Sequence, residues 1–429
     1  MAQHRRREAH EPARLSPSPP IRPPPEGITV RSPSVRPVED IATSSPAQAH
    51  FSPAEFARRR HAVQDAMAAR GVDCLLITRL EDQYWLCGFD SGAASVFHVL
   101  FFTVDGQLLH LSRSADLSNI AYTSQCRNVL VFDDAHGSSK GEAIKDVLAS
   151  LGMAGRVVGV ETDSVGMSLA LHHELQAALT GWCRTTDTSA LVRDIRRVKS
   201  QEELAYLRRA GEILHQASAS AIDVVKPGAF EGDIMAAFQQ TVFSSDGEAF
   251  AGFPLGAGPR ALLVRPVAGR GHVGESDQVL FEPGVAYRHY CATTMFSVLT
   301  GPSVDPRHLA MHAACVDALA RVQEMIRPGN TFGDLYEVHR ATFAEHGFED
   351  AALKACGYSM GAVWETTWME PPMIAAGVPL VLQEQMAVFT HMILLDRRTG
   401  LSMVLGETVE VTANGPAPIT AVPRELIIR

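Results

Sequence analysis

The sequence predicts two folded domains in series behind a disordered tail: an α/β domain over residues 52–194 and an α+β domain over 195–429 whose halves repeat around a pseudo-twofold axis. Three observations predict this. Residues 1–48 are rich in Pro, Ser and Arg and hold too few bulky apolar side chains to offset chain entropy. Short apolar runs separated by turn residues then fill the stretch from Asp73 to Glu161. Beyond it, one pattern of Pro-Gly and Gly-Asp pairs occurs twice at a constant offset.

The first domain opens at Ser52-Pro53-Ala54-Glu55, a serine cap with proline at the first helical position and glutamate at the third, and Gly71 closes that helix. Strands are expected at Cys74 to Ile77, Val99 to Val104, Leu108 to Leu111 and Val157 to Val160, with Asp105-Gly106 turning the second into the third. Helices are expected near Ala143 to Leu151 and Met167 to Leu179. Gly88 to Gly92 lacks the spacing of a phosphate-cradling loop and reads as turns.

The second domain opens at the capping box Ser200-Gln201-Glu202-Glu203, after which Leu204, Leu207 and Leu214 share a helical face with Gly211 and Ser218. Lys226-Pro227-Gly228 followed by Gly232-Asp233-Ile234 is echoed by Arg327-Pro328-Gly329 followed by Gly333-Asp334-Leu335. In each copy a helix ends at the Pro-Gly turn and a second starts near the Gly-Asp pair, where the aspartate favours a helix N-terminus. Strands follow at Gln278 to Glu282 and Tyr290 to Val298 in one copy, and at Ala387 to Leu395 and Met403 to Val411 in the other. Duplicated units of this kind meet around a cleft.

With 429 residues, 46% apolar and 20% charged, the chain is long enough for two cores. A formal charge of -10 and a pI near 5.9 argue against nucleic acid or an anionic membrane as the main partner and leave a small-molecule or peptide ligand, a small-molecule substrate being expected. The seven cysteines are scattered and never spaced as C-x-x-C, so a reducing, cytoplasmic setting is expected. No apolar run approaches the length of a membrane span.

Gly258-Pro259-Arg260, the strand from Asp277 to Gly284, Gly357-Tyr358-Ser359-Met360-Gly361, Met386 to Met392, and Gly406-Glu407-Thr408-Val409 stand in the order that marks the pita-bread family. Over residues 52–429 the chain resembles that family, which includes creatinase, ectoine hydrolase, prolidase, aminopeptidase P and methionine aminopeptidase. The final Pro423-Arg424-Glu425-Leu426 adds likeness to the ectoine hydrolase branch. The resemblance implies a pita-bread second domain, with a creatinase-like domain ahead of it and a homodimer as the expected assembly.

The family's metallopeptidases hold two metal ions with two aspartates, a histidine and two glutamates. The resemblance puts Glu282, Thr293, Tyr358, His391 and Glu407 at those positions, and only Glu407 keeps its type. Threonine and tyrosine remove a carboxylate and an imidazole from the set, so neither a metal nor another cofactor is expected. Where creatinase carries its proton-transferring histidine and a substrate-binding glutamate, this chain has Arg265 and Met295, which argues against creatine.

What the resemblance then implies is metal-independent hydrolysis of a C-N bond in a small zwitterionic or amide substrate. His391 is the expected acid/base, Glu407 its partner, and Tyr358 a donor to the developing oxyanion. Substrate binding is expected from Arg260, Arg265, Glu282, Trp364, Glu365 and Trp368, with Arg113 as a contribution to a partner subunit's site. A binding protein that has lost the chemistry, and an Xaa-Pro metallopeptidase, are the alternatives.

Overall fold

The computed structural model describes residues 35–38, 49–134, 137–249, 254–267, 269–364, 367–421 and 423–429. The chain divides into two compact units between Arg193 and Asp194. Most of the tail expected to be disordered lies outside the described residues, but Val35–Pro37 forms a strand, β1. Val35 and Val38 are buried, and Arg36 pairs with Asp133 at 3.0 Å. Two valines suffice to cover the open edge of the sheet, where a proline is tolerated.

In the first unit, α1 (Pro53–Arg70) begins with the Ser52 hydroxyl accepting from the Glu55 amide and ends at Gly71 in the left-handed region. It is followed by β2 (Cys74–Ile77), α2 (Leu80–Cys87), β3 (His98–Thr103), β4 (Leu108–Arg113), α3 (Leu117–Thr123), β5 (Val129–Phe132), α4 (Lys140–Ser150), β6 (Val157–Val160), α5 (Leu169–Leu179) and β7 (Arg184–Asp187). The strands form one mixed sheet in the order β1-β5-β4-β3-β2-β6-β7. Both expected helices start at serine caps, Ser139 and Ser168, which move their beginnings from the apolar positions alone. Helix α6 (Leu191–Arg196) carries the chain onward.

The second unit contains the duplicated pattern. Helices α7 (Gln201–Val224) and α8 (Glu231–Ser244) are joined at Gly228, and α9 (Pro306–Glu324) and α10 (Phe332–Glu345) at Gly329, with φ of 80° and 98°. A side chain is strained in that region, which is why glycine stands at both turns. Leu204, Leu207 and Leu214 of α7 are buried, and a Cβ on Gly211 would come within 2.2 Å of the Ile419 carbonyl, so the glycine lets the C-terminal segment approach.

The strands are β8 (Glu248–Ala249), β9 (Leu255–Ala257), β10 (Gln278–Phe281), β11 (Gly284–Tyr287), β12 (Tyr290–Thr293), β13 (Phe296–Leu299), β14 (Ala355–Ser359), β15 (Glu370–Ala375), β16 (Ala387–Asp396), β17 (Leu401–Thr412), β18 (Gly415–Pro418) and β19 (Ile427–Ile428). They form three sheets, ordered β19-β13-β10-β9, β12-β11-β8 and β15-β14-β16-β17-β18. The single strand expected over Tyr290 to Val298 is broken into β12 and β13, because Met295 leaves its own ladder to exchange backbone hydrogen bonds with Gly406 at 3.0 and 2.9 Å. Thr408 ties the same joint by donating its hydroxyl to the Thr293 carbonyl at 2.7 Å. The first copy's strands are thereby anchored to the middle of β17 in the second copy. All seven cysteines are free thiols, and among the described residues no helix is long and apolar enough to cross a membrane.

Candidate active site

A cavity of about 440 Å³ opens on one face of the five-stranded sheet, within the size range of small-molecule sites. Glu282, just past β10, Tyr358 on β14, and His391 and Ile393 on β16 project into it, with Arg265 and Trp368 from loops. Tyr358 pairs with Phe389 across β14 and β16, and side chains alternate along a strand, so Tyr358, Phe389, His391 and Ile393 share this face. The two rings flanking His391, Tyr358 and Phe389, have centroids 5.9 and 5.6 Å from it.

A chain of donors runs through the cavity. The Trp368 indole N–H donates to the Tyr358 hydroxyl at 2.8 Å, and that hydroxyl donates to the Glu282 carboxylate. Burial pushes the Glu282 carboxyl up to about 8, outweighing the Arg265 charge and the Tyr358 hydrogen bond, which act the other way. Burial, then the neighbouring Glu282, holds the Tyr358 phenol well above its ordinary range, so it stays a donor. His391 is driven down to about 3 by burial and by His339, and its Nδ1 is buried without a hydrogen-bond partner.

Several site expectations change here. Glu407 does not meet His391: β16 and β17 pair Thr390 with Glu407 and His391 with Gly406, which puts Glu407 on the opposite face. There it accepts from Gln323 Nε2 at 2.6 Å and Arg424 Nη2 at 3.0 Å. Gly406 is the residue that faces His391 across the strand pair. His391 is also neutral across the physiological range, so it is poorly suited to be the acid/base.

Arg260 is not in the cavity. Its guanidinium donates to Glu231 at 3.1 Å and to the Val267 carbonyl. Glu231, fully buried, also accepts from the amides of Ala257, Arg270 and Gly271; burial opposes its ionisation, but these donors outweigh it and hold the carboxyl below its usual range. This pair fixes the ends of the loop that carries Arg265, an arrangement that an isolated acidic residue in a helix's first turn does not announce. Trp364 stacks on His289, centroids 3.7 Å apart, outside the cavity lining, and Glu365 lies outside the described residues. Arg113, in the first unit, pairs with Asp134 at 2.5 Å. Sequence reasoning missed the apolar wall of Val264, Leu353, Met369, Met373 and Ile393; the period-2 spacing from His391 to Ile393 is the one signal that reaches it.

These side chains do not fit a dinuclear metal centre. The Thr293 hydroxyl is spent on the Pro283 carbonyl at 2.9 Å, and Tyr358 is a buried phenol. At Gly406 a Cβ would come within 2.8 Å of the Phe389 ring, so an aromatic fills the space a carboxylate would need. Among the described residues no three His, Cys, Asp or Glu side chains converge as a ligand set.

Residues 59–198 match the Creatinase/Prolidase N-terminal domain, and residues 205–413 match the Metallopeptidase family M24. The chain is 28% identical to an uncharacterized hydrolase/peptidase, y4tM, of Sinorhizobium fredii, over 89% of its own length and 99% of the relative's. It is 24% identical to an ectoine hydrolase of Halomonas elongata, over 88% and 98% of the two chains. Among solved structures, dipeptidase PepE of Mycobacterium ulcerans superposes with a TM-score of 0.77 at 22% identity, over 88% of this chain and 99% of that one.

Proposed function

This chain belongs to the pita-bread family of creatinase, aminopeptidase P and prolidase, with their two-domain fold, and from that premise we propose that it hydrolyses a C-N bond of a small substrate without a dinuclear metal centre. The observation that carries this is the Trp368-Tyr358-Glu282 chain lining the cavity, in which Tyr358 and Glu282 are residues that the resemblance sets at two of the family's ligand positions.

Glu282 is the proton carrier in this reading. A carboxyl held near pH 8 is mostly protonated at neutrality and can give its proton to a departing nitrogen. Water attacks the carbonyl carbon, a C–O bond forms and the C–N bond breaks. The Glu282 carboxylate then takes back the proton shed by the water, and the products are a carboxylate and an amine. Tyr358, oriented by Trp368, positions the Glu282 carboxyl. His391 stays neutral and offers a hydrogen bond to the bound substrate. The seven free cysteines support a reducing, cytoplasmic setting.

The test combines elemental analysis with turnover. Purified protein is assayed by mass spectrometry on a panel of small amides, cyclic amidines and dipeptides, before and after dialysis against a strong chelator. Turnover that survives chelation is expected. Activity lost on chelation and restored by two equivalents of Mn, Co or Zn per chain would overturn the reading.

A further inference from the structure

The cavity's charges are lopsided. Among the described residues lining it, Arg265 is the one cation and Glu282 the one carboxyl. Arg265 is exposed on the lining, and among the described residues no hydrogen bond or ion pair holds its guanidinium, although its charge acts on Glu282. Glu282 sits deep, engaged by Tyr358, which is itself held by Trp368. The wall between them is apolar, built by Val264, Leu353, Met369, Met373 and Ile393.

Each feature sets a condition on the ligand. An exposed guanidinium on the lining of an apolar cavity is a bidentate seat for a carboxylate. The apolar wall favours a hydrocarbon portion of several carbons, each buried methylene contributing roughly 0.8 kcal/mol. A free ammonium finds less: the one carboxyl among the described lining residues already accepts a hydrogen bond from Tyr358 and lies under the field of Arg265, which repels a second cation.

Resting on the hydrolase reading above, we propose that the substrate is an N-acylated amino acid or a similar monoanionic amide with an apolar body and no free amino group. Its carboxylate binds Arg265, its apolar portion lies along the wall of Met373 and Ile393, and its amide nitrogen faces Glu282. Zwitterionic dipeptides and cationic cyclic amidines are poor fits.

The experiment measures binding by calorimetry and turnover by mass spectrometry for N-hexanoyl-leucine, its carboxamide, leucyl-proline and a cyclic amidine. N-hexanoyl-leucine is expected to be cleaved to hexanoate and leucine, with kcat/KM about 10- to 100-fold above its carboxamide, mostly through KM. Arg265→Gln should erase that ratio and Arg265→Lys should restore part of it; Arg265 is exposed, so neither variant threatens folding. A ratio unchanged in Arg265→Gln overturns the assignment of the carboxylate seat. Preferential cleavage of leucyl-proline or the amidine overturns the substrate class and leaves the hydrolase reading standing. Binding of N-hexanoyl-leucine with the expected Arg265 dependence but without turnover supports the ligand class and overturns the hydrolase reading. Neither binding nor turnover overturns the class proposed here.

Discussion

Replacing Glu282 with glutamine should make the protein more stable at alkaline pH. The carboxyl moves from an ordinary value of 4.5 in the unfolded chain to about 8 in the folded one, so between those values the folded state holds a proton that the unfolded state has lost. Stability therefore falls as pH rises through this window, by up to about 5 kcal/mol once the pH exceeds the folded value. Between pH 6 and pH 9 the loss from this one group is about 2–3 kcal/mol. Glutamine keeps the shape and cannot ionise. His391 and His339, depressed to about 3 and 4, contribute in the opposite sense, since they withdraw stability as pH falls below the ordinary histidine value of 6.5. Both remain in the variant, so their effect cancels in the difference. Urea unfolding of wild type and Glu282→Gln at pH 6 and pH 9 gives that difference directly. Equal pH dependence in the two proteins would refute the assignment of a buried, proton-holding carboxyl.

Four further outcomes follow from the same geometry. In turnover, the alkaline limb of the wild-type kcat profile should lie near pH 8, and Tyr358→Phe should displace it upward while lowering kcat by about 10-fold, because the carboxyl loses the donor that favours its ionised form. His391→Gln should raise KM without moving that limb; a shift would return the proton-transfer role to the histidine. Glu407→Gln should cost stability, about 1–2 kcal/mol given the partly exposed Arg424 partner, while kcat stays within about twofold; a thermal melt and a rate measurement separate the two. Gly406→Glu, which sets a carboxylate opposite His391, should destabilise by about 1–3 kcal/mol through collision with Phe389 and should confer no manganese-dependent activity.

Much of the architecture was legible because it depends on local rules. The serine caps at Ser52 and Ser200, the Pro-Gly turns at Gly228 and Gly329 and the Gly-Asp helix starts are read within a few residues each. Two things were not local. Val35–Pro37 is a strand because β5 offers it an open edge, a fact about the sheet and not about three residues of a proline-rich tail. The pairing of His391 with Gly406 depends on the reversal between Asp396 and Leu401, and a shift of one residue there would have put Glu407 beside His391 as expected. Register is set by how many residues the turn consumes, which the apolar pattern of two continuously buried strands does not reveal.

That register also bears on whether the site is damaged or refitted. Loss of one metal ligand at random would leave the remaining charges facing one another without their counter-ion, a costly arrangement in a buried cleft. Glu282, Thr293, Tyr358, His391 and Gly406 here instead form a mutually consistent set: a carboxyl whose proton burial retains, a threonine bonded to backbone, a phenol, an uncharged imidazole and a glycine whose space Phe389 fills. Phe389 can occupy that space only because no side chain stands at Gly406, and its ring in turn packs against Tyr358, centroids 5.4 Å apart, which orients the donor for Glu282. Each replacement is thus tied to the next. A chain that had simply lost its chemistry would not require that coupling, nor a solvent-facing Arg265 on the lining of the same cavity.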